Sequence, residues 1–300
     1  MSTLRISLFG KLKIERGEHE AIKLEARRAQ ELLSYLLLYR ERTHEREKLA
    51  TLLWSNQSTS RAKQYLRQTL WQVQSTLPSA AENQHLLLVI QDRIGINPQV
   101  RFWLDVAVFD QAYTCVEKIP GHTLEYTQVE TLRAALPLYK GDLLEGWYED
   151  WCLFERERYQ NIYLAMLDKL LAYSEAHQEY EAGLAYGTQI LHYDRARERT
   201  HRTLMRLHYR AGHRTAAIHQ YESCVAALAE ELDVGPAKST IALYHQICAD
   251  QMDTMPALPV GPVPDAALHQ LEQIQSTLTQ LQTQVNELVQ IFAHDSSNHS

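Results

Sequence analysis

The 300-residue chain has only four cysteines, Cys115, Cys152, Cys224 and Cys248, and no two of them form a C-x-x-C pair. A disulfide framework or a thiolate metal site is therefore not expected, and these residues read as thiols of a reducing cytoplasm. No apolar run approaches the ~20 residues needed to cross a bilayer. The N-terminal MSTLRISLFGKLKIERG lacks the apolar core and small-residue cleavage site of a secretory signal, so neither export nor a membrane partner is expected. The signatures of catalysis are missing as well: no G-x-x-x-x-G-K-[ST] loop, no G-x-S-x-G, no H-E-x-x-H and no paired catalytic carboxylates. His192, His201, His208, His213 and His219 lie in helical sequence without matched carboxylates and read as structural or surface residues. We expect no enzyme, no metal and no cofactor, and no phosphoacceptor domain ahead of the first strand.

The net charge of −7 conceals an asymmetry. Residues 1–105 carry 16 Lys/Arg against 11 Asp/Glu, a balance of +5, and the remainder carries 14 against 26, a balance of −12. A basic first half on an acidic second half fits a polyanionic partner for the first half alone.

Residues 4–9 (LRISLF), 11–15 (KLKIE) and 20–24 (EAIKL) alternate apolar and polar, which predicts short antiparallel strands turning at Gly10 and Gly17. Apolar spacing predicts helices over 27–40, 46–54 and 61–77, the last stopped by Pro78. A terminal hairpin is expected from 86–90 and 100–106, with the turn through Asp92 and Gly95. Strands, three helices and a hairpin, in that order, describe a winged helix with an N-terminal sheet.

On helix 61–77, Ala62, Leu66, Leu70, Val73 and Leu77 share one face and are expected to pack inward. The opposite face presents Arg61, Gln64, Arg67, Gln68 and Trp71, with Lys63 and Gln72 at its margins. Arginine can fork to guanine and glutamine to adenine in the major groove, while Arg and Lys also hold phosphates. Such a face is otherwise an ordinary solvated one. Arg93, expected in the hairpin turn, and Arg27 and Arg28, at a helix start where backbone N–H groups can assist, are further candidate phosphate contacts. Their alternative is plain surface charge. Double-stranded DNA is the partner this pattern fits, and residues 1–110 are expected to bind it without the rest of the chain.

REKLATLLW (46–54), LRQTLWQV (66–73) and the exit residues Asp105, Val106 and Phe109 in DRIGINPQVRFWLDVAVFDQ (92–111) resemble the OmpR/PhoB-type winged helix. That family often places two arginines near the end of its recognition helix. Here Gln72-Val73-Gln74 stands in their place, which weakens phosphate affinity at that end. Trp71 occupies a position that is commonly small or polar in the family. It could contact a sugar or a thymine methyl, or pack at a domain interface.

Further along, TLRAALPLYKGDLLEGWYEDWCLFERER (131–158) is helical, breaks at Gly141 and Gly146, and turns helical again around Trp147, Tyr148 and Trp151. Its Ala135, Leu136, Leu138, Tyr139, Gly141, Leu143, Leu144, Gly146, Trp151, Glu155, Arg156 and Arg158 resemble the start of the bacterial transcriptional activation domain. A repeat at a spacing of 34 follows, pairing Leu170 with Leu204, Leu171 with Met205 and Ala182 with Ala216. This is the period of stacked tetratricopeptide helix pairs. Residues 229–247 resemble the end of the same domain, with Asp233 in place of its usual turn glycine. Winged helix followed by activation domain is the arrangement of the antibiotic regulatory protein (SARP) type of activator, which implies contact with RNA polymerase or another regulator.

Beyond a linker holding Pro256, Pro259, Pro262 and Pro264, the residues Leu271, Ile274, Leu278, Leu281, Val285, Leu288 and Phe292 alternate steps of three and four. A coiled coil joining two or more copies is expected, its alternative being a helix folded back on the second domain. The fold expected is thus mostly α. A winged-helix (α+β) domain over 1–106 precedes a TPR-like all-α domain over 107–250, a linker over 251–267 and a coiled coil over 268–293. The function expected is a sequence-specific DNA-binding regulator, most simply an activator working as DNA-bound dimers. The alternative is a non-enzymatic scaffold whose winged helix no longer reads DNA.

Overall fold

In the computed structural model the described residues are 4–17, 20–77 and 85–251. They fall into two units, Met1–Tyr244 and His245–Ser300. The heptad residues Leu271 to Phe292 and the proline linker lie outside the described residues.

The first unit begins with β1 (Leu4–Ser7), β2 (Lys13–Arg16) and β3 (Glu20–Ala21), followed by α1 (Arg27–Leu38), β4 (His44–Glu45), α2 (Arg46–Leu53) and α3 (Thr59–Thr76). Strand β1 buries Leu4 and Ile6 and exposes Arg5, the half-buried alternation its sequence predicts. Gly10 and Gly17 adopt positive φ where the chain turns. Helices α1, α2 and α3 close over one core through Leu32, Leu33, Leu36 and Leu37 of α1, Leu49 and Leu53 of α2, and Leu66, Leu70 and Val73 of α3.

The terminal hairpin is built differently from the sequence expectation. It joins β5 (Leu87–Ile90) to β6 (Arg93–Ile96), with Ile90 opposite Arg93. Two residues, Gln91 and Asp92, suffice to reverse the chain because Gln91 takes a positive φ of 52°. Gly95 lies inside the strand, where a Cβ would meet the Thr43 side chain at 3.1 Å. Residues 100–106 form no part of the hairpin. Phe102–Leu104 (β7) crosses to the other sheet and pairs parallel with β1, so the sheets run β3-β2-β1-β7 and β4-β6-β5.

From β7 the chain enters α4 (Asp105–Thr114) directly, and α5 (Tyr126–Ala135) follows. Next come two helix pairs, α6 (Asp150–Ala176) with α7 (Tyr180–Tyr193), and α8 (Glu198–Arg210) with α9 (Arg214–Leu232), before α10 (Lys238–Cys248). The repeat of 34 extends to the backbone. Gln178 turns the first pair with φ 60°, and Gly212 turns the second with φ 81°. Glu179 N–H donates to Ser174 O at 2.9 Å, and His213 N–H, 34 residues on, donates to His208 O at 2.8 Å. The pairs stack closely because Gly183 and Gly187, one turn apart on α7, leave room for the Leu207 and Leu204 side chains of α8. Asp233 ends α9 in the left-handed conformation itself, with φ 54°, and so does the work of the glycine it replaces.

The two halves of the first unit share one core. Phe9, just past β1, lies 5.1 Å from the Phe109 ring, 5.1 Å from Tyr139 and 5.3 Å from Tyr159. Backbone bonds extend this contact: Leu144 N–H donates to Leu8 O at 2.8 Å, Glu145 N–H to Gly10 O at 2.7 Å, and Gly10 N–H to Asp142 O at 2.9 Å. The buried carboxylate of Asp105 accepts the N–H groups of Leu8 at 2.8 Å, Phe9 at 2.9 Å and Val106 at 2.8 Å. Burial pushes its pKa up to about 6 against the pull of those donors, so it is ionised at neutral pH. A fragment ending at residue 110 would lack the rings that pack on Phe9 and Phe109 and would leave Leu8 O and the Gly10 N–H and carbonyl without these partners. The N-terminal half thus shares its core with the helical half, and the expectation that residues 1–110 act without the rest of the chain stands against these shared contacts.

Candidate nucleic-acid interface

Helix α3 buries Ala62, Leu66, Thr69, Leu70 and Val73, so its opposite pole is fixed by helical geometry. Along that pole run Gln64, then Arg67 and Gln68, then Trp71, all exposed, with Arg61 at the helix start. Gln72 is half-buried at the margin, and Lys63 is exposed but lies 3.1 Å from Glu47 Oε1 of α2. Arg61 and Arg67 have no ion-pair partner among the described residues. The structure thus brings together Arg61, Lys63, Gln64, Arg67, Gln68 and Trp71 on one continuous surface. Tyr65, which the sequence reading passed over, is exposed beside them and touches the Trp54 ring, centroids 6.1 Å apart.

The hairpin stands beside the start of α2, held by the Arg46 N–H bond to Asp92 O at 2.7 Å. Between them and α3 opens a cleft of about 290 Å³ lined by Glu45, Arg46, Glu47, Lys63, Leu66, Arg67 and Asp92. Lys48 holds the Glu45 carboxyl below its usual range, and burial keeps His44 below its own, so His44 is neutral at pH 7. The tip of the hairpin is apolar as well as charged, since Val89 and Ile90 are exposed.

Arg93 is exposed at the first position of β6, but its guanidinium donates to Thr43 Oγ1 and Thr43 O, both at 2.7 Å. Arg27 and Arg28 are placed at the start of α1, Arg27 at the junction between the halves. Both pair with buried Glu31, at 3.0 and 2.6 Å, and Arg27 also lies 3.9 Å from the Trp147 ring and 3.3 Å from Glu149. The structure does not bring these two to the α3 surface. Burial, the largest influence, raises the pKa of Glu31, and Arg28 opposes it. The spacing that put Arg27 and Arg28 at a helix start was readable in the sequence. The Trp147 ring that Arg27 covers, 120 residues away, was not.

The residues of 131–158 also acquire roles. Arg156 donates to the carbonyls of Leu143 at 3.1 Å, Leu144 at 3.1 Å and Trp147 at 3.0 Å, pinning the corner that contacts Leu8–Gly10. Arg158 bonds Glu155 at 2.7 Å and Asp110 at 3.1 Å, and Tyr159 donates to the same Asp110 carboxylate at 2.8 Å. Among the described residues no group of three or more His, Cys, Asp or Glu could hold a metal ion, and no helix is long and apolar enough to cross a membrane.

Residues 104–248, just under half of the chain, match the bacterial transcriptional activator domain family. Among solved structures the chain is similar to Mycobacterium tuberculosis EmbR in complex with a low affinity phosphopeptide, with a TM-score of 0.61 and 18% identity. The likeness covers 84% of this chain and 66% of that one, so this chain spans just under two thirds of the EmbR chain, and what it establishes is the fold. No curated protein matches.

Proposed function

We propose, from the match of residues 104–248 to the bacterial transcriptional activator domain family, that the chain is a transcription regulator that reads duplex DNA sequence-specifically through α3. Its helical half then activates by contacting RNA polymerase or another regulator. One observation carries the DNA reading: among the described residues Arg61 and Arg67 have no ion-pair partner, on the pole of a helix whose other face is committed to the core. Arg27, Arg28, Arg40 and Arg93 are instead held by acceptors of the protein itself. Unpaired guanidiniums flanked by exposed glutamines suit phosphates and base edges together. Dimers on paired half-sites are proposed from the heptad spacing of Leu271, Ile274, Leu278, Leu281, Val285 and Leu288 alone, since joining two modest modules raises their effective concentration.

The test is retention of the full-length chain on a duplex pool between low and moderate salt. With four or five phosphates neutralised, log K is expected to fall against log salt with a slope of about −4. No retention at low salt would end the DNA reading. It would leave the scaffold alternative, which the absence of any cation from Gln68 to Thr76 favours.

A further inference from the structure

Trp71 is 67% exposed, and it makes no ring contact with another aromatic among the described residues. Its position on α3 is set by the packing of Leu70 and Val73 on either side, so the indole is held out from the protein on the pole that also carries Gln64 and Gln68. Trp71 follows Gln68 by one turn and Gln64 by two, a rise of roughly 10 Å along the helix. That length matches about three base pairs of a duplex at 3.4 Å each. The cations on this surface, Arg61, Lys63 and Arg67, all lie N-terminal to Trp71, and none follows it on the helix. The end of α3 therefore contributes apolar area and amides rather than charge.

Resting on the DNA-binding reading above, we propose that Trp71 is a specificity-determining residue that reads the C5-methyl group of thymine in the major groove. The methyl is the one apolar feature the base edges present there, and an amide side chain is the partner suited to adenine N6 and N7. Trp71 with Gln64 and Gln68 thus forms an A·T-reading row along α3, while Arg61 and Arg67, interleaved with the glutamines, hold phosphates or guanine. Charge complementarity selects this occupant over a protein surface. Arg67, one turn before the indole, and Arg61, further toward the helix start, suit a polyanion, and among the described residues no carboxylate pairs with either.

The experiment uses the full chain and a duplex selected from a random-sequence pool, then remade with deoxyuridine in place of thymidine. Deoxyuridine pairs identically and lacks only the methyl. The wild type is expected to bind the deoxyuridine duplex about threefold to fivefold more weakly for each methyl lost under the indole. Trp71→Ala is expected to bind both duplexes alike, at the weaker level, with an unchanged melting temperature because the side chain is exposed. Equal wild-type binding to the two duplexes overturns the methyl reading and leaves DNA binding standing. So does discrimination that persists undiminished in Trp71→Ala, since another side chain then reads the methyl. Failure of the wild type to select any duplex overturns this inference together with the DNA reading.

Discussion

Arginine appears in two regions of the first unit in opposite states. At the junction between the halves and the adjoining start of α1, Arg27, Arg28, Arg156 and Arg158 each bond to carboxylates or carbonyls, and Arg27 also covers the Trp147 ring. On α3, Arg61 and Arg67 face solvent with no such partner among the described residues. The same side chain is a structural rivet in one place and an open binding group in the other. What separates them is the partner. A buried backbone carbonyl such as those of Leu143 and Leu144 needs a donor, and Arg156 supplies it. Nothing on α3 makes that demand, so its arginines remain available to a ligand.

The comparison can be broken most forcefully at the junction. Asp105→Asn removes one acceptor oxygen from the group that holds Leu8, Phe9 and Val106 N–H, and turns an amide N–H toward them. It should cost about 1–3 kcal/mol in thermal or denaturant unfolding, with the two halves unfolding in a single transition because they share a core. A neutral effect, or two separated transitions, would show that the junction is a loose contact. A smaller effect of opposite sign is expected in the repeats. Gln178 takes the left-handed conformation that Gly212 takes at the equivalent turn. Gln178→Gly should therefore stabilise the chain by about 0.5–1 kcal/mol, and a loss of stability would mean that the Gln178 side chain contributes more than its backbone strain costs.

Much of the fold was legible because it rests on local periodicity. The apolar stripe Ala62, Leu66, Leu70, Val73 and Leu77 is buried as its spacing required, and the repeat of 34 recurs in equivalent backbone bonds. The misplaced hairpin shows where local reasoning stops. Gly95 reads as a turn residue, yet it is glycine because Thr43 approaches the strand there. The parallel pairing of β7 with β1 joins residues nearly a hundred positions apart, and no spacing in the sequence announces it. The candidate interface was likewise half visible. Helical geometry selects the exposed pole of α3, but whether an arginine on any surface is paired depends on residues such as Glu31, Glu149 and Thr43 that only the tertiary fold brings near.

The central claim is that the unpaired arginines of α3, and not those at and beside the junction, hold DNA. It is tested most directly by the salt dependence of duplex binding for the full chain, for Arg61→Ala with Arg67→Ala, and for Arg28→Ala. Each phosphate contact removed should lower the slope of log K against log salt by about 0.9. The double α3 variant should thus lose up to about two from the slope, with stability changed by less than about 0.5 kcal/mol, while Arg28→Ala keeps the wild-type slope. An unchanged slope in the α3 variant, or an equal loss in Arg28→Ala, would contradict the account.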